Sequence, residues 1–256
     1  MMGNKEESEL DLASARALVS DRRLWLHVRT FLWDFASQIH PSWLEKLDGS
    51  ETAVAGRGGA ALPTLVSHLM SSSHTRRFVL SCLHVEPCFH PFPAGDASRL
   101  LLLDAATLDR VARWLGVLSS AAELRTVTDG TVVRAFKAAF PGAYPDAFSF
   151  LAYFHKEMKE WNLPPLQTGL KETEDRAQRA EQWGACVLSR GYALLAGYVS
   201  ALPAPLLRRL RLKLPVQTPF PADLAQDAGV DAVTLRAVIE KLFKFKFPEA
   251  HQLCFS

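Results

Sequence analysis

Apolar residues recur every three or four positions along most of this chain, and prolines and glycines interrupt the pattern repeatedly. The clearest stretch begins at Asp21 and reads DRRLWLHVRTFLWDFASQI, with Leu24, Val28, Phe31, Leu32, Phe35 and Ile39 in helical register. A stripe of this kind must be buried against other helices. Few runs alternate with the period of two that a half-buried strand needs, and no segment repeats at a fixed period. The chain is therefore expected to be all-α, a single irregular multi-helix bundle of about eight to ten helices.

The breakers set the expected boundaries. Asp21 is placed to cap the first helix, and Pro41 ends it near Ile39. Ser42 to Leu47 has room only for a short helical turn. GSETAVAGRGGAALP is rich in Gly and Ala, so a mobile loop is expected near 49–62. One or two helices should follow within Leu65 to Leu83, and Pro87, Pro91 and Pro93 should make the next stretch irregular. Asp104 and Asp129 each stand before a strong amphipathic run, and Pro145 stands near the start of another. A loop is expected near 162–173, then the longest helix, from Glu174 to Ala201. Gly184, Gly191 and Gly197 should permit close packing along it. Expected core positions are Leu24, Val28, Phe31, Phe35, Leu108, Val111, Leu115, Phe136, Phe148, Leu151, Leu188, Leu195, Val238 and Leu242. Residues 21–256 read as one helical domain behind a partly disordered tail at 1–20.

Composition narrows the function classes. Apolar residues are 48% of the 256 and charged residues 22%, which is ordinary for a soluble protein. The formal charge of +2 gives no global reason to expect nucleic acid or an acidic membrane. No apolar run reaches the ~18 residues of a spanning helix. The acidic start MMGNKEESEL lacks the basic and then apolar order of a secretory signal. Four cysteines are too few for a disulfide scaffold, so a reduced, cytoplasmic protein is expected.

Catalytic signatures fail in turn. GRGGAALP at 56–63 has glycines, but no Gly-Lys-Ser/Thr follows and no strand precedes it, so it lacks the parts of a phosphate cradle. There is no G-x-S-x-G elbow and no H-E-x-x-H pair. Cys82, His84, Cys88 and His90 are all metal-ligand types. Their C-x-H-x₃-C-x-H spacing leaves only three residues to close a tetrahedron, and the plainer reading is a small apolar cysteine beside a proline-rich loop. No cofactor or metal is expected, and no residue stands out as catalytic.

Two segments invite a binding role. LAQDAGVDAVTLRAVIEKL, at 224–242, has the spacing of a helix-turn-helix, with Ala225 at the close contact, Gly229 in the turn, and Val230 and Leu235 pinning the second helix. As a DNA reader it would place Thr234 and Arg236 near base edges and Lys241, Lys244 and Lys246 near phosphates. As packing, it is only a corner between two helices. In LLRRLRLKLP, Leu206, Leu207, Leu210 and Leu214 form a stripe. Arg208, Arg209, Arg211 and Lys213 then read either as a solvated face or as a docking edge for an acidic partner. The six tryptophans fall mostly within apolar stripes and are expected in the core.

The string IHPSWL, Ile39, His40, Pro41, Ser42, Trp43 and Leu44, follows an amphipathic helix and resembles the SctK (YscK) family of type III secretion systems. RVARWLGVLSSAAELRTVTDGTVVRAFKAAFP is similar to that family's central Leu/Ala-rich helix pair. LLRRLRLKLP resembles its basic leucine-rich segment, and LRAVIEKLFKFKFPEAHQLCFS its C-terminal helix with a charged, aromatic tail. These pieces span most of residues 24–256. The resemblance implies a helical, non-enzymatic adaptor of the cytoplasmic sorting platform, peripheral at the inner-membrane face. Its implied partners are the cytoplasmic domain of the ring protein SctD and the pod protein SctQ, with the stator and export ATPase reached indirectly. Neither nucleic acid nor direct membrane insertion is implied. The alternative is a DNA-binding regulator using 224–242. At IHPSWL, Pro41 should end a helix, Ser42 cap the next turn, and Trp43 either pack back or serve as a partner anchor. The basic edge should meet an acidic surface of the ring protein.

Overall fold

A computed structural model describes residues 22–47, 72–85, 95–159, 161, 163–166, 175–220 and 230–255. The tail at 1–20, Asp21, the Gly-rich loop near 49–62, most of the 162–173 loop, Cys88, His90 and residues 224–229 of the 224–242 motif lie outside them. Among the described residues there are helices and no strand, so the chain has the all-α, multi-helix class expected from its periodicity. The helices fall into two compact units. The first comprises residues 1–105 and 202–218, and the second 106–201 and 219–256.

In the first unit, α1 (Arg22–Trp33) buries Leu24, Val28 and Phe31. The sequence predicts one helix running on to Ile39. Instead the backbone leaves the α-helical region at Asp34 and tightens into a 3₁₀ turn, Phe35–Gln38. The Asp34 carbonyl accepts from the amide and hydroxyl of Ser37, and its carboxylate binds Arg76 at 2.7 Å. Those bonds favour a tight turn there, and Phe35 and Ile39 still reach the core. Next come α2 (Pro41–Leu47), α3 (Ser73–Cys82) and α4 (Asp96–Arg99), with a 3₁₀ turn at Leu100–Leu102. The stretch expected to be irregular thus includes two short helical turns, and Leu100 to Leu103 are all buried. The unit is completed by a helix from far along the chain, α9 (Ala204–Lys213).

The second unit holds α5 (Ala105–Leu124, entered at its first residue), α6 (Gly130–Ala139), α7 (Ala143–Met158), α8 (Arg176–Val199), α10 (Ala232–Lys246) and α11 (Pro248–Phe255). Asp129, Asp175 and Asp231 cap α6, α8 and α10, each accepting a backbone N–H two residues on. The C-terminal segment, expected as a tail, is helical because Pro248 suits a first turn and Cys254 and Phe255 pack inward, Phe255 against Phe243.

At two glycines, α5 and α8 approach each other backbone to backbone. A methyl group added at Gly116 would collide with the carbonyl oxygen of Val187, and one at Gly191 with that of Ala112. Here the backbones themselves touch, with no side chain between them. Gly191 does what its position suggested. Gly184 has open space around it and makes no such approach. Below the crossing, Glu123 accepts from Arg190 and from the Leu166 amide, and Arg190 also donates to the Pro164 carbonyl, which pins that part of the expected loop.

Candidate functional site

The helix α9 decides the character of the first unit's surface. At 100° per residue, Leu206, Arg209, Leu210 and Lys213 share one face. That face turns inward, so Arg209 and Lys213 are buried, each only 2% exposed. The four bases therefore do not form one basic edge. The i, i+3, i+4 rule that buries the leucines carries two of the cations in with them.

Each buried cation has a defined task. Arg209 donates from Nη1 to the carbonyls of Phe31 at 2.6 Å and Leu32 at 3.2 Å, in the last turn of α1. A cation there satisfies carbonyls that no further turn of helix can bond and complements the helix dipole. Its guanidinium lies 5.6 and 5.1 Å from the ring centroids of Phe31 and Phe35. Lys213 donates from Nζ to the Leu101 carbonyl at 2.8 Å and sits 5.5 Å from the Phe31 ring. Burial pulls its pKa from 10.5 down to about 7, against the opposing pull of Asp104.

The other two cations stay at the surface. Arg208 is exposed and donates from Nε to the Leu83 carbonyl at 2.9 Å. Arg211, three residues on and half-buried, donates to the carbonyls of Pro215 and Val216 at 2.9 and 2.7 Å. Its guanidinium stacks 5.0 Å from the Trp43 ring centroid, and Lys46 Nζ stands 5.6 Å from the same ring.

Trp43 belongs to the corner formed by Ile39 to Leu44, which is built directly against the end of α9. The His40 amide donates to the Leu212 carbonyl at 2.9 Å, Trp43 Nε1 to the Leu214 carbonyl at 2.8 Å, and the Val216 amide to Ser42 Oγ at 2.9 Å. Pro41 opens α2, where its missing N–H costs nothing. Ser42 is not the cap expected of it. His40 precedes the helix, and its Nδ1 takes the Ser42 amide at 3.3 Å while lying 2.9 Å from Ser42 Oγ. The serine is already the second residue of the helix, too far in to cap, and its hydroxyl is used across the corner instead. Ile39 is buried, Leu44 is half-buried, and Trp43 packs while leaving part of its ring at the surface. The accessible set is thus Trp43, Lys46, Arg208 and Arg211. Lys46 escaped the sequence reading, although its place three residues after Trp43 on a helix was a usable sign.

The other candidates are less coherent. Cys82 and His84 are exposed, and among the described residues no group of three or more His, Cys, Asp or Glu side chains is placed to hold a metal ion. On α10, Arg236 and Lys244 are exposed, but Thr234 is half-buried, with its amide and hydroxyl bonded to Asp231. Lys241 binds Glu157, and Lys246 binds Asp146 at 2.6 Å beneath the rings of Trp114 and Phe150. Two of the three lysines assigned to phosphate are thus already occupied by carboxylates of α7. Among the described residues no helix is long and apolar enough to cross a membrane. Compared with known protein families, curated proteins and solved structures, the chain matches none.

Proposed function

We propose that this protein is a non-enzymatic adaptor of the SctK type, acting at the cytoplasmic, inner-membrane face of a type III secretion apparatus. It links the cytoplasmic domain of an SctD-like ring protein to an SctQ-like pod protein. The observation that supports this reading most is the corner itself. IHPSWL and LLRRLRLKLP, two of the segments that carry the resemblance, lie more than 160 residues apart in sequence, yet they bond to each other through His40 and Trp43, and Ser42 accepts from Val216 just beyond the second. Beside that corner, Trp43 and Arg211 are residue types enriched at binding hot spots. Lys46 and Arg208 add exposed charge suited to steering an acidic partner.

The test uses the full chain with the purified cytoplasmic domain of the ring protein. Lys46→Glu combined with Arg208→Glu should weaken binding about tenfold, mainly by slowing association, and should flatten its salt dependence. Capture of the pod protein should be unchanged, and the melting temperature should fall only slightly, by the loss of the Arg208–Leu83 hydrogen bond. Arg211 is left alone because it holds the Pro215 turn. Wild-type chain that ignores both partners would overturn the adaptor reading. A double reversal that binds the ring domain normally at every salt concentration would overturn the assignment of this surface.

A further inference from the structure

Two buried cations hold α9 to the first unit, and they hold it unequally. Arg209 binds two carbonyls of α1 and lies against two rings. Lys213, one turn later and as deeply buried, makes a single hydrogen bond, to the Leu101 carbonyl. An ammonium has three N–H donors, so two of them lie in an apolar setting without an acceptor.

No counter-charge is in contact with it. Lys213 forms no ion pair, and the carboxylate that acts on it, Asp104, is exposed. Arg209, on the same helix, only adds a second cation against the Phe31 ring. The Phe35–Gln38 and Leu100–Leu102 turns that pack on α9 carry no titratable side chain. Asp34, before the first turn, is taken by Arg76, and the residue before the second is another cation, Arg99. From α1 the lysine meets Phe31, while His27 and Arg29 of that helix are exposed. At the corner, His40 Nδ1 is turned to Ser42, and Lys46 lies by the Trp43 ring.

The turn that carries Lys213 is also the one that holds the corner. The carbonyls on either side of it, Leu212 and Leu214, accept from the His40 amide and from Trp43 Nε1. A movement that takes Lys213 to water therefore strains both bonds. We propose that the last turn of α9 is a proton-sensitive catch: a proton taken up at Lys213 lifts that turn from the Leu101 carbonyl, frees His40 and Trp43, and bares Leu212 and Leu214. Arg209, one turn earlier, keeps the rest of α9 in place. The catch rests on the bonds of the corner and stands apart from the adaptor reading.

Linkage gives its direction and size. In the lifted turn Lys213 is in water and keeps its proton up to the ordinary 10.5, whereas in the closed turn the proton leaves at about 7. Lifting is therefore favoured as pH falls between those values and levels off below them. From pH 9 to pH 7 the lifted fraction should grow roughly fifty-fold.

The test is hydrogen exchange of the His40 and Val216 amides in the full chain, corrected for the intrinsic dependence of exchange on pH. Their protection should fall roughly fifty-fold from pH 9 to pH 7, and urea too dilute to unfold the chain should not change it. Lys213→Met keeps an unbranched side chain and removes the proton, so its protection should be flat apart from the effect of His40, which both proteins share. In the wild type, the carbon-13 resonance of Lys213 Cε should titrate near pH 7. A Lys213 resonance that titrates at its ordinary alkaline value would overturn the proposal. So would protection that is flat in the wild type or equally steep in Lys213→Met. Corner amides that exchange only as slowly as the most protected amides of α5, and faster in dilute urea, would mean that the corner opens by global unfolding alone and would overturn it too.

Discussion

Lys213 makes stability rise with pH across the neutral to alkaline range. In the unfolded chain its ammonium holds its proton up to the ordinary value of 10.5, while in the folded chain it gives the proton up near pH 7. Between those two values the unfolded state binds about one more proton than the native state, so stability rises with pH. It is greatest above 10.5 and is lost as pH falls toward 7. Each pKa unit corresponds to about 1.4 kcal/mol, so the full span amounts to roughly 5 kcal/mol, with about 3 kcal/mol of it between pH 7 and 9.5. Lys213→Met keeps the length of the side chain and removes the titration. Urea unfolding of both proteins should be followed at half-unit steps across that range. The wild-type stability should climb relative to the variant by about 3 kcal/mol, with slopes in urea unchanged. Other titrating groups cancel in the difference. Parallel stability curves across that range would refute the reasoning, because they would mean that Lys213 keeps its proton in the folded state or reaches water.

The remaining expectations concern packing and caps. Gly191→Ala and Gly116→Ala should each cost about 1–3 kcal/mol or more, because a carbonyl oxygen occupies the space of the new methyl group. Gly184→Ala, on the same helix with open space around it, should raise stability by about 0.5–1 kcal/mol, and thermal melts of the three variants compared side by side check the contrast. Trp43→Phe keeps the ring but strands the Leu214 carbonyl, and should cost about 1 kcal/mol by chemical denaturation. Asp231→Ala removes the acceptor for two amides at the start of α10 and should cost about 1 kcal/mol in the same assay.

Helical class and most helix starts were legible because they are local properties. Asp129, standing before an apolar run, caps its helix as expected; Asp175 and Asp231 do the same, although the long helix was expected from Glu174 and neither residue was expected as a cap. Leu24, Val28, Phe31, Phe35, Leu108, Val111, Leu115, Phe136, Leu195, Val238 and Leu242 are buried as their spacing predicts. Phe148, Leu151 and Leu188 are only half-buried, while Ala147, Phe154 and Val187 take the inner positions. Periodicity defines a stripe but not its centre. The Gly116–Gly191 crossing turns Val187 toward α5, and Leu188 moves to the flank. The surface at α9 was misread for a related reason. Hydropathy alone placed Arg209 and Lys213 outside, although their spacing from Leu206 and Leu210 placed them inside. What holds them there is a set of backbone carbonyls from α1 and the Leu100–Leu102 turn, supplied by folding rather than by any nearby letter in the sequence. Lys46 and the capping role of His40 were hidden likewise, since each depends on partners across the corner.

The late position of α9 in the chain has a consequence for synthesis. The first unit lacks a helix until the ribosome has passed Thr218, although the rest of it ends at Ala105. At roughly 5–20 residues per second, that interval of about 113 residues lasts on the order of 6–20 seconds. During it, the carbonyls of Phe31 and Leu32 lack Arg209, and Phe31, Phe35 and Leu101 lack the helix that buries them in the finished chain. Translation that halts within this window therefore releases an N-terminal fragment with an open apolar seat, a substrate for chaperones and proteases rather than a half-functional protein.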